Sequence, residues 1–161
     1  MLNKDLEIVK GDCRLKIRCC AVIIHNNAIL LHQFEKDGYW ALPGGKMHFG
    51  ELSEEGVRRE VQEEIGYTVA SARPLWIAEQ LYKESHLFHE LGFFYLISVE
   101  NQDELYRKGE FTVEDEGATL RFKWFPLDQL SETDVRPAFL KERLLAIPNH
   151  PELIPAREYS L

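Results

Sequence analysis

Residues Gly44 to Tyr67 read GGKMHFGELSEEGVRREVQEEIGY: six glutamates and three basic side chains, punctuated by glycines and by Val57, Val61 and Ile65. A helix from about Leu52 to Ile65 accounts for the apolar spacing, and Gly66 stands where a helix stop belongs. At about 100° per residue, Glu60, Glu63 and Glu64 fall within roughly 100° of arc, beside the stripe made by the three aliphatic residues. The stripe suits a core, so the carboxylates run along the helix edge. Like charges at these spacings repel by only a few tenths of a kcal/mol per pair, so the spacing alone fits a solvated face as well as an ion site. The neighbours favour the ion. Carboxylate oxygens on a helix edge suit Mg²⁺ or Mn²⁺. The Gly44-Gly45 pair lets the backbone come close to a ligand. Arg59, two helical turns from Glu51, is placed to brace the loop against the helix.

On either side the chain reads as strands. KIRCCAVIIH (16–25) and AILLHQFEK (28–36) are joined at Asn26 and Asn27, residues that accept the left-handed backbone of a tight turn. GYWALPGGKMHFG (38–50) is a loop with a short extended piece. PLWIAEQLY and HLFHELGFFYLISV are strand-like, residues 101–117 form an acidic loop, and LRFKWFPL returns to strand. PAFLKERLLAI (137–147) reads as a closing helix before a polar tail. Strands outnumber helices, and hairpins are mixed with a helical crossover. That is the pattern of an α/β (α+β) chain with a mixed sheet flanked by helices.

A length of 161 residues points to one domain over 1–161, with a core at about 15–148 and short extensions at both ends. Hydrophobic content of 45% and charged content of 29% are those of an ordinary soluble chain. No apolar run approaches the ~20 residues of a membrane span, and MLNKDLEIVKGD lacks the apolar stretch of a signal peptide. A net charge of −8 argues against sequence-independent binding of nucleic acid. Cys13, Cys19 and Cys20 are an odd set with no C-x-x-C spacing, and Cys19 and Cys20 would face opposite sides of a strand. Reduced thiols in a cytoplasmic protein are the plain reading.

The opening segment resembles the Nudix box, G-x5-E-x7-R-E-U-x-E-E-x-G-U, where U is a bulky aliphatic residue. Gly45, Glu51, Arg59, Glu60, Val61, Glu63, Glu64 and Gly66 stand at the required spacings, and WALPGG (40–45) matches the usual lead-in. Tyr67 departs from the aliphatic final position. Leu52 and Gly56 depart where Ser or Thr and Ala are common, and a glycine inside the helix costs about 1 kcal/mol relative to Ala. The resemblance implies an α/β/α sandwich with a mixed β-sheet. It also implies divalent-metal-dependent cleavage of the pyrophosphate bond in a nucleoside diphosphate linked to another moiety: a nucleotide sugar, a dinucleoside polyphosphate or a nucleoside triphosphate. Carried over by position, Glu60, Glu63 and Glu64 are the expected metal ligands, with Gly45 lending its carbonyl. Mg²⁺ is the expected ion and Mn²⁺ its substitute. Glu51 and Arg59 are expected to position the loop, and with Glu64 and Glu116 they complete the expected catalytic set. An anionic chain and an anionic pyrophosphate would repel without a divalent ion between them.

The general base is sought among Glu116, Glu114, Asp115, Glu79 and Glu64. Glu116 is preferred because EDEG (114–117) ends the acidic loop just before a strand, where a glycine lets the chain turn. Tyr39, Trp40, Tyr82, Phe88 and Phe94 offer faces for a nucleobase, although sheet aromatics serve as readily in a core, as does Trp124. His86 and His89 form an H-x-x-H whose odd spacing a strand sends to opposite faces, so they are not expected to share a metal. The expected partner is a small-molecule nucleotide, with no membrane. A homodimer through an exposed strand or the closing helix stays open. The alternative function is a non-catalytic sensor of nucleotides or nucleotide sugars on the same fold, against which three clustered metal ligands argue.

Overall fold

The computed structural model describes residues 4–158. Alternation along β2 (Cys13–Val22) organises it: Cys19 and Ala21 enter one buried cluster, while Cys20 and Val22 enter another on the opposite face. In the larger sheet β2 lies between β1 (Glu7–Lys10) and β7 (Leu87–Val99). The order continues through β6 (Val69–Lys83) to β10 (Glu152–Arg157), and β5 (Gly44–Lys46) pairs with the distal half of β2. The β2–β7 and β6–β10 pairs are parallel and the rest antiparallel, so this is a mixed sheet. A second, antiparallel sheet has the order β3 (Ile24–His25), β4 (Ala28–Phe34), β9 (Ala118–Pro126), β8 (Phe111–Asp115).

The helix α1 (Ser53–Ile65) lays Val57, Val61 and Ile65 on the first cluster, joined by Leu105 of α2 (Gln102–Arg107). On the other side a 3-10 segment (Leu127–Glu132) and the single turn α3 (Leu140–Arg143) contribute Leu130, Leu140 and Leu144. Helical segments therefore flank the mixed sheet on both sides. Among the described residues no helix is long and apolar enough to cross a membrane.

The ends of α1 follow from its sequence. Gly66 is left-handed at φ 79°, and its N–H closes on Gln62 O at 3.0 Å. Leu52 has no side chain able to cap, so Glu55 reaches back and accepts from the Leu52 N–H at 2.7 Å. Gly56 has a packing reason: a Cβ there would meet Glu51 Oε1 at 3.0 Å and Cys19 Sγ at 3.1 Å. Tyr67 places its ring against the first cluster and donates its hydroxyl to Glu104 Oε1 at 2.9 Å, contacts an aliphatic residue would not make.

Four readings of the sequence need correction. The strand expected over 16–25 switches sheets: Val22 ends its pairing with β7, Ile23 is fully buried, and only Ile24 and His25 join the small sheet. The Asn26–Asn27 turn is as expected, both residues left-handed at φ 48° and 59°. The acidic loop is mostly regular, because Leu105 anchors α2 in the core and Phe111 and Val113 pack β8 against it. The closing helix shrinks to α3, with further turns at Leu144 to Ala146. The polar tail is β10, parallel to β6 at the sheet edge, where a Pro155 without an N–H is tolerated. Strands β1 and β10 thus close the two edges of the large sheet, from chain placed outside or at the margins of the expected core.

Candidate active site

Arg59 organises the box. Its Nε and Nη2 donate to the two carboxylate oxygens of Glu51 at 3.0 and 2.7 Å, and Nη2 also reaches Lys46 O at 3.2 Å. Glu51 Oε1 in turn accepts the His48 N–H at 2.7 Å. This bidentate pair ties α1 to the loop that follows β5, the brace expected from the spacing of eight residues. Hydrogen bonding from Arg59 holds the Glu51 carboxyl below its ordinary pKa. Arg59 Nη1 also donates to Glu60 Oε1 at 2.7 Å and Glu63 Oε2 at 3.1 Å. One guanidinium therefore gathers the carboxylates of Glu51, Glu60 and Glu63.

Glu60 lies against Gly45. A Cβ on Gly45 would meet the Glu60 carboxylate at 2.6 to 2.7 Å, so only glycine leaves room for that close approach. Burial, together with the charges of Glu64 and Glu63, pushes the Glu60 carboxyl up to about 7 against the pull of Arg59. Glu64 is 8% exposed, and its Oε2 sits 3.4 Å from His32 Nδ1. That distance is within ion-pair range, yet neither atom has a hydrogen-bond partner.

These observations test whether the residues fit a divalent cation. The donor set is all oxygen, a buried carboxylate oxygen of Glu64 lacks a partner, and the Gly45 backbone faces Glu60 across a gap that no side chain fills. The chemistry fits. Among the described residues no three His, Cys, Asp or Glu side chains have the geometry of an ion site, and Arg59 stands between the carboxylates of Glu51, Glu60 and Glu63.

Of the candidate bases, Glu64 belongs to this cluster, and the others lie on the β8–β9 hairpin and on β6. Glu116 is exposed at the tip of the β8–β9 hairpin, with Glu116 and Gly117 both left-handed at φ 46° and 81°. Glu114 accepts a hydrogen bond from Thr119 Oγ1 at 2.8 Å. Glu79 does not face the cleft; it alternates with Gln80 on β6 and pairs on the other face with His89 Nε2 at 3.0 Å. His86 instead contacts Ser85 and the Phe88 ring, so the two histidines do not meet.

Beside His32 a cleft of about 330 Å³ opens between the two sheets. Tyr39, Tyr82 and Phe88 line it, with the rings of Tyr82 and Phe88 stacked at 4.8 Å, whereas Trp40 and Phe94 belong to the second core cluster. Trp124 packs against the first cluster, as expected. The floor carries Lys16, Arg18, Gln80 and Glu90, none of which was singled out from the sequence. Their signal was available: polar residues at every second position of strands otherwise apolar on that face.

Comparison with known proteins agrees with this geometry. The NUDIX domain profile matches residues 15–144. Over 52 residues the chain is 46% identical to the nucleoside triphosphatase NudI of Enterobacter sp. (strain 638), covering 29% of this chain and 37% of that protein. It is 32% identical over 81 residues to the 8-oxo-dGTP diphosphatase of Proteus vulgaris, covering 48% of this chain and 70% of that one. The match to the first of these spans little more than a third of its length. Among solved structures, the mutator MutT protein of Bacillus halodurans superposes with a TM-score of 0.60 at 19% identity, over 89% of this chain and 91% of that one, a likeness of fold. With the box, the mixed sheet and a profile match over most of its length, the chain belongs to the NUDIX domain family.

Proposed function

We propose that this protein is a divalent-metal-dependent pyrophosphohydrolase acting on a nucleoside diphosphate linked to another moiety. The observation that carries the reading is the Glu60–Gly45 approach together with the buried, unpartnered Glu64 oxygen, 3.4 Å from a His32 that lines a cleft with aromatic rings. Two relatives whose names specify nucleotide phosphate hydrolysis support the class of substrate. Glu60, Glu63, Glu64 and the Gly45 carbonyl are the groups that would hold Mg²⁺, or Mn²⁺ in its place. When bound, such an ion offsets the charge of the pyrophosphate and makes water a better nucleophile.

The chain's own residues supply the rest. Glu51 and Arg59 fix the loop so that the Gly45 carbonyl and the Glu60 carboxylate keep their relative position. Glu116 is the proposed proton acceptor: Glu114 and Glu79 are engaged with Thr119 and His89, while Glu116 sits free at a hairpin tip. Tyr82 and Phe88 offer an aromatic wall to the nucleoside. The test is a substrate panel of nucleotide sugars, dinucleoside polyphosphates and nucleoside triphosphates, with Mg²⁺ or Mn²⁺ and a coupled phosphatase. Metal-dependent phosphate release is expected for at least one class. Nucleotide binding without any release would instead identify a sensor.

A further inference from the structure

The protein and its box are both acidic, so a polyanionic substrate needs cationic groups that are not already engaged. Arg59 is held by Glu51, Glu60 and Glu63. Lys46 is paired with Asp5 and Glu7, and Arg136 with Asp134. Arg18 is different. It lines the floor of the cleft, and its guanidinium hydrogen-bonds to no described residue.

Its place in the sheet is specific. Arg18 pairs with Lys46 across β2–β5, one residue from the Cys19–Gly45 pair where Glu60 packs. Across β2–β7 it pairs with Gly92, which presents no side chain, and Glu90 lies two residues farther along the same face. Phe88 is four residues from Gly92, about 13 Å along the strand at ~3.3 Å per residue. Arg18 leaves β2 on the face opposite Cys19, into the cleft, and His32, which lines the same cleft and lies 3.4 Å from Glu64, links that floor to the box helix. Glu90 is 6% exposed and held on both oxygens, by Tyr82 Oη at 3.1 Å and Gln80 Nε2 at 3.4 Å. Burial disfavours the charge on Arg18, but the fields of Glu90, Cys20, Tyr82 and Glu64 together outweigh it and keep the guanidinium firmly protonated. Guanidinium groups bind phosphate oxygens in pairs, with charge-assisted hydrogen bonds.

We infer that Arg18 is a phosphate-binding residue of this site, its guanidinium taking non-bridging oxygens of the substrate pyrophosphate on the cleft side of Glu64. Glu90, fixed by Tyr82 and Gln80, sets a negative charge near Arg18 on the same floor. The ring system of the substrate then extends toward Phe88 and Tyr82. The inference rests on the hydrolase reading for the identity of its ligand, but its test needs no turnover.

The experiment is calorimetric titration of the protein with inorganic pyrophosphate at one fixed free Mg²⁺ concentration, for wild type, Arg18→Gln and Arg18→Lys. Loss of charge-assisted bonds should weaken binding in Arg18→Gln by about 10- to 100-fold. Arg18→Lys, which keeps the charge but not the fork, should fall between the two. Wherever wild type turns over a substrate, Arg18→Gln should raise KM alike for analogues carrying different bases. Unchanged pyrophosphate affinity in Arg18→Gln, or in Arg18→Lys should the first variant not fold, would overturn the assignment and leave Arg18 as a structural counterion of Glu90. So would a wild type that binds no pyrophosphate, or a KM effect confined to one base. Absence of turnover in wild type would count against the hydrolase reading alone.

Discussion

Replacing Gly45 by Ala tests the site with one methyl group. Its Cβ would lie 2.6 Å from the Glu60 carboxyl carbon and from Oε1. Ordinary contact requires the carboxylate to retreat by roughly 1 Å. The obstacle is the end of a flexible side chain and not backbone, so the fold accommodates the change. A displacement of about 1 Å in a group that sets reacting geometry costs on the order of a hundredfold in rate, or about 2.7 kcal/mol of barrier. Gly45→Ala should therefore melt within a few degrees of wild type while losing turnover by about that factor, with weaker Mn²⁺ binding. Gly44 supplies the control. At φ 150° its Cβ would stand 2.2 Å from the backbone oxygen of Cys19, so Gly44→Ala should lower the melting temperature first and activity only as a consequence. Thermal melts, metal titration and steady-state kinetics on the two variants separate the cases. A folded Gly45→Ala with full turnover and undiminished metal affinity would refute the idea that Glu60 is seated against Gly45 to hold an ion.

Arg59→Ala leaves Glu51 without its bidentate partner, at 15% side-chain exposure. Stability should drop by about 1–3 kcal/mol, less than for a fully buried pair, and activity should fall with it; lost activity with an unchanged melt would mean that Arg59 contacts phosphate directly. Glu60 gives a pH dependence in the presence of a chelator. Its folded pKa of about 7 lies above its ordinary 4.5, so its contribution to stability is complete below 4.5 and disappears as pH rises through 7. That swing is on the order of 3 kcal/mol, should vanish in Glu60→Gln, and would be disproved by identical pH–stability curves for the two proteins. Glu116→Gln should reduce turnover by about 10²–10⁴ with little change in substrate binding and should flatten the acidic limb of the pH–rate profile; an unaltered profile would pass the role to another group, with Glu114 next to be substituted.

The box was legible because its information is local. The period of Val57, Val61 and Ile65, the stop at Gly66 and the Glu51–Arg59 spacing all operate within two dozen residues, and the structure places each as read. The Asn26–Asn27 turn was legible for the same reason. What escaped depends on partners distant in sequence. Strand β10 reads as part of a polar tail until β6 offers it an edge. The acidic segment 101–117 reads as loop until Leu105, Phe111 and Val113 find the first core cluster. Arg18 and Glu90 look ordinary in their own strands, and only the parallel β2–β7 register brings them to the floor of one cleft. Glu79 could not be assigned a face because β6 carries a bulge between Pro74 and Trp76, which resets the alternation downstream.

The decisive measurement is phosphate release by the Glu63→Gln/Glu64→Gln double variant beside wild type, across a Mg²⁺ titration on the best substrate of the panel. Glu64 is buried without a hydrogen-bond partner for Oε2, so an amide there should not lower the melting temperature. The two substitutions keep side-chain size and remove two negative charges from the helix edge. Wild-type turnover should rise and saturate with Mg²⁺, while the double variant should stay folded and lose both the saturation and nearly all of the rate. Full, Mg²⁺-dependent turnover in the folded double variant would contradict the assignment of these glutamates to the metal.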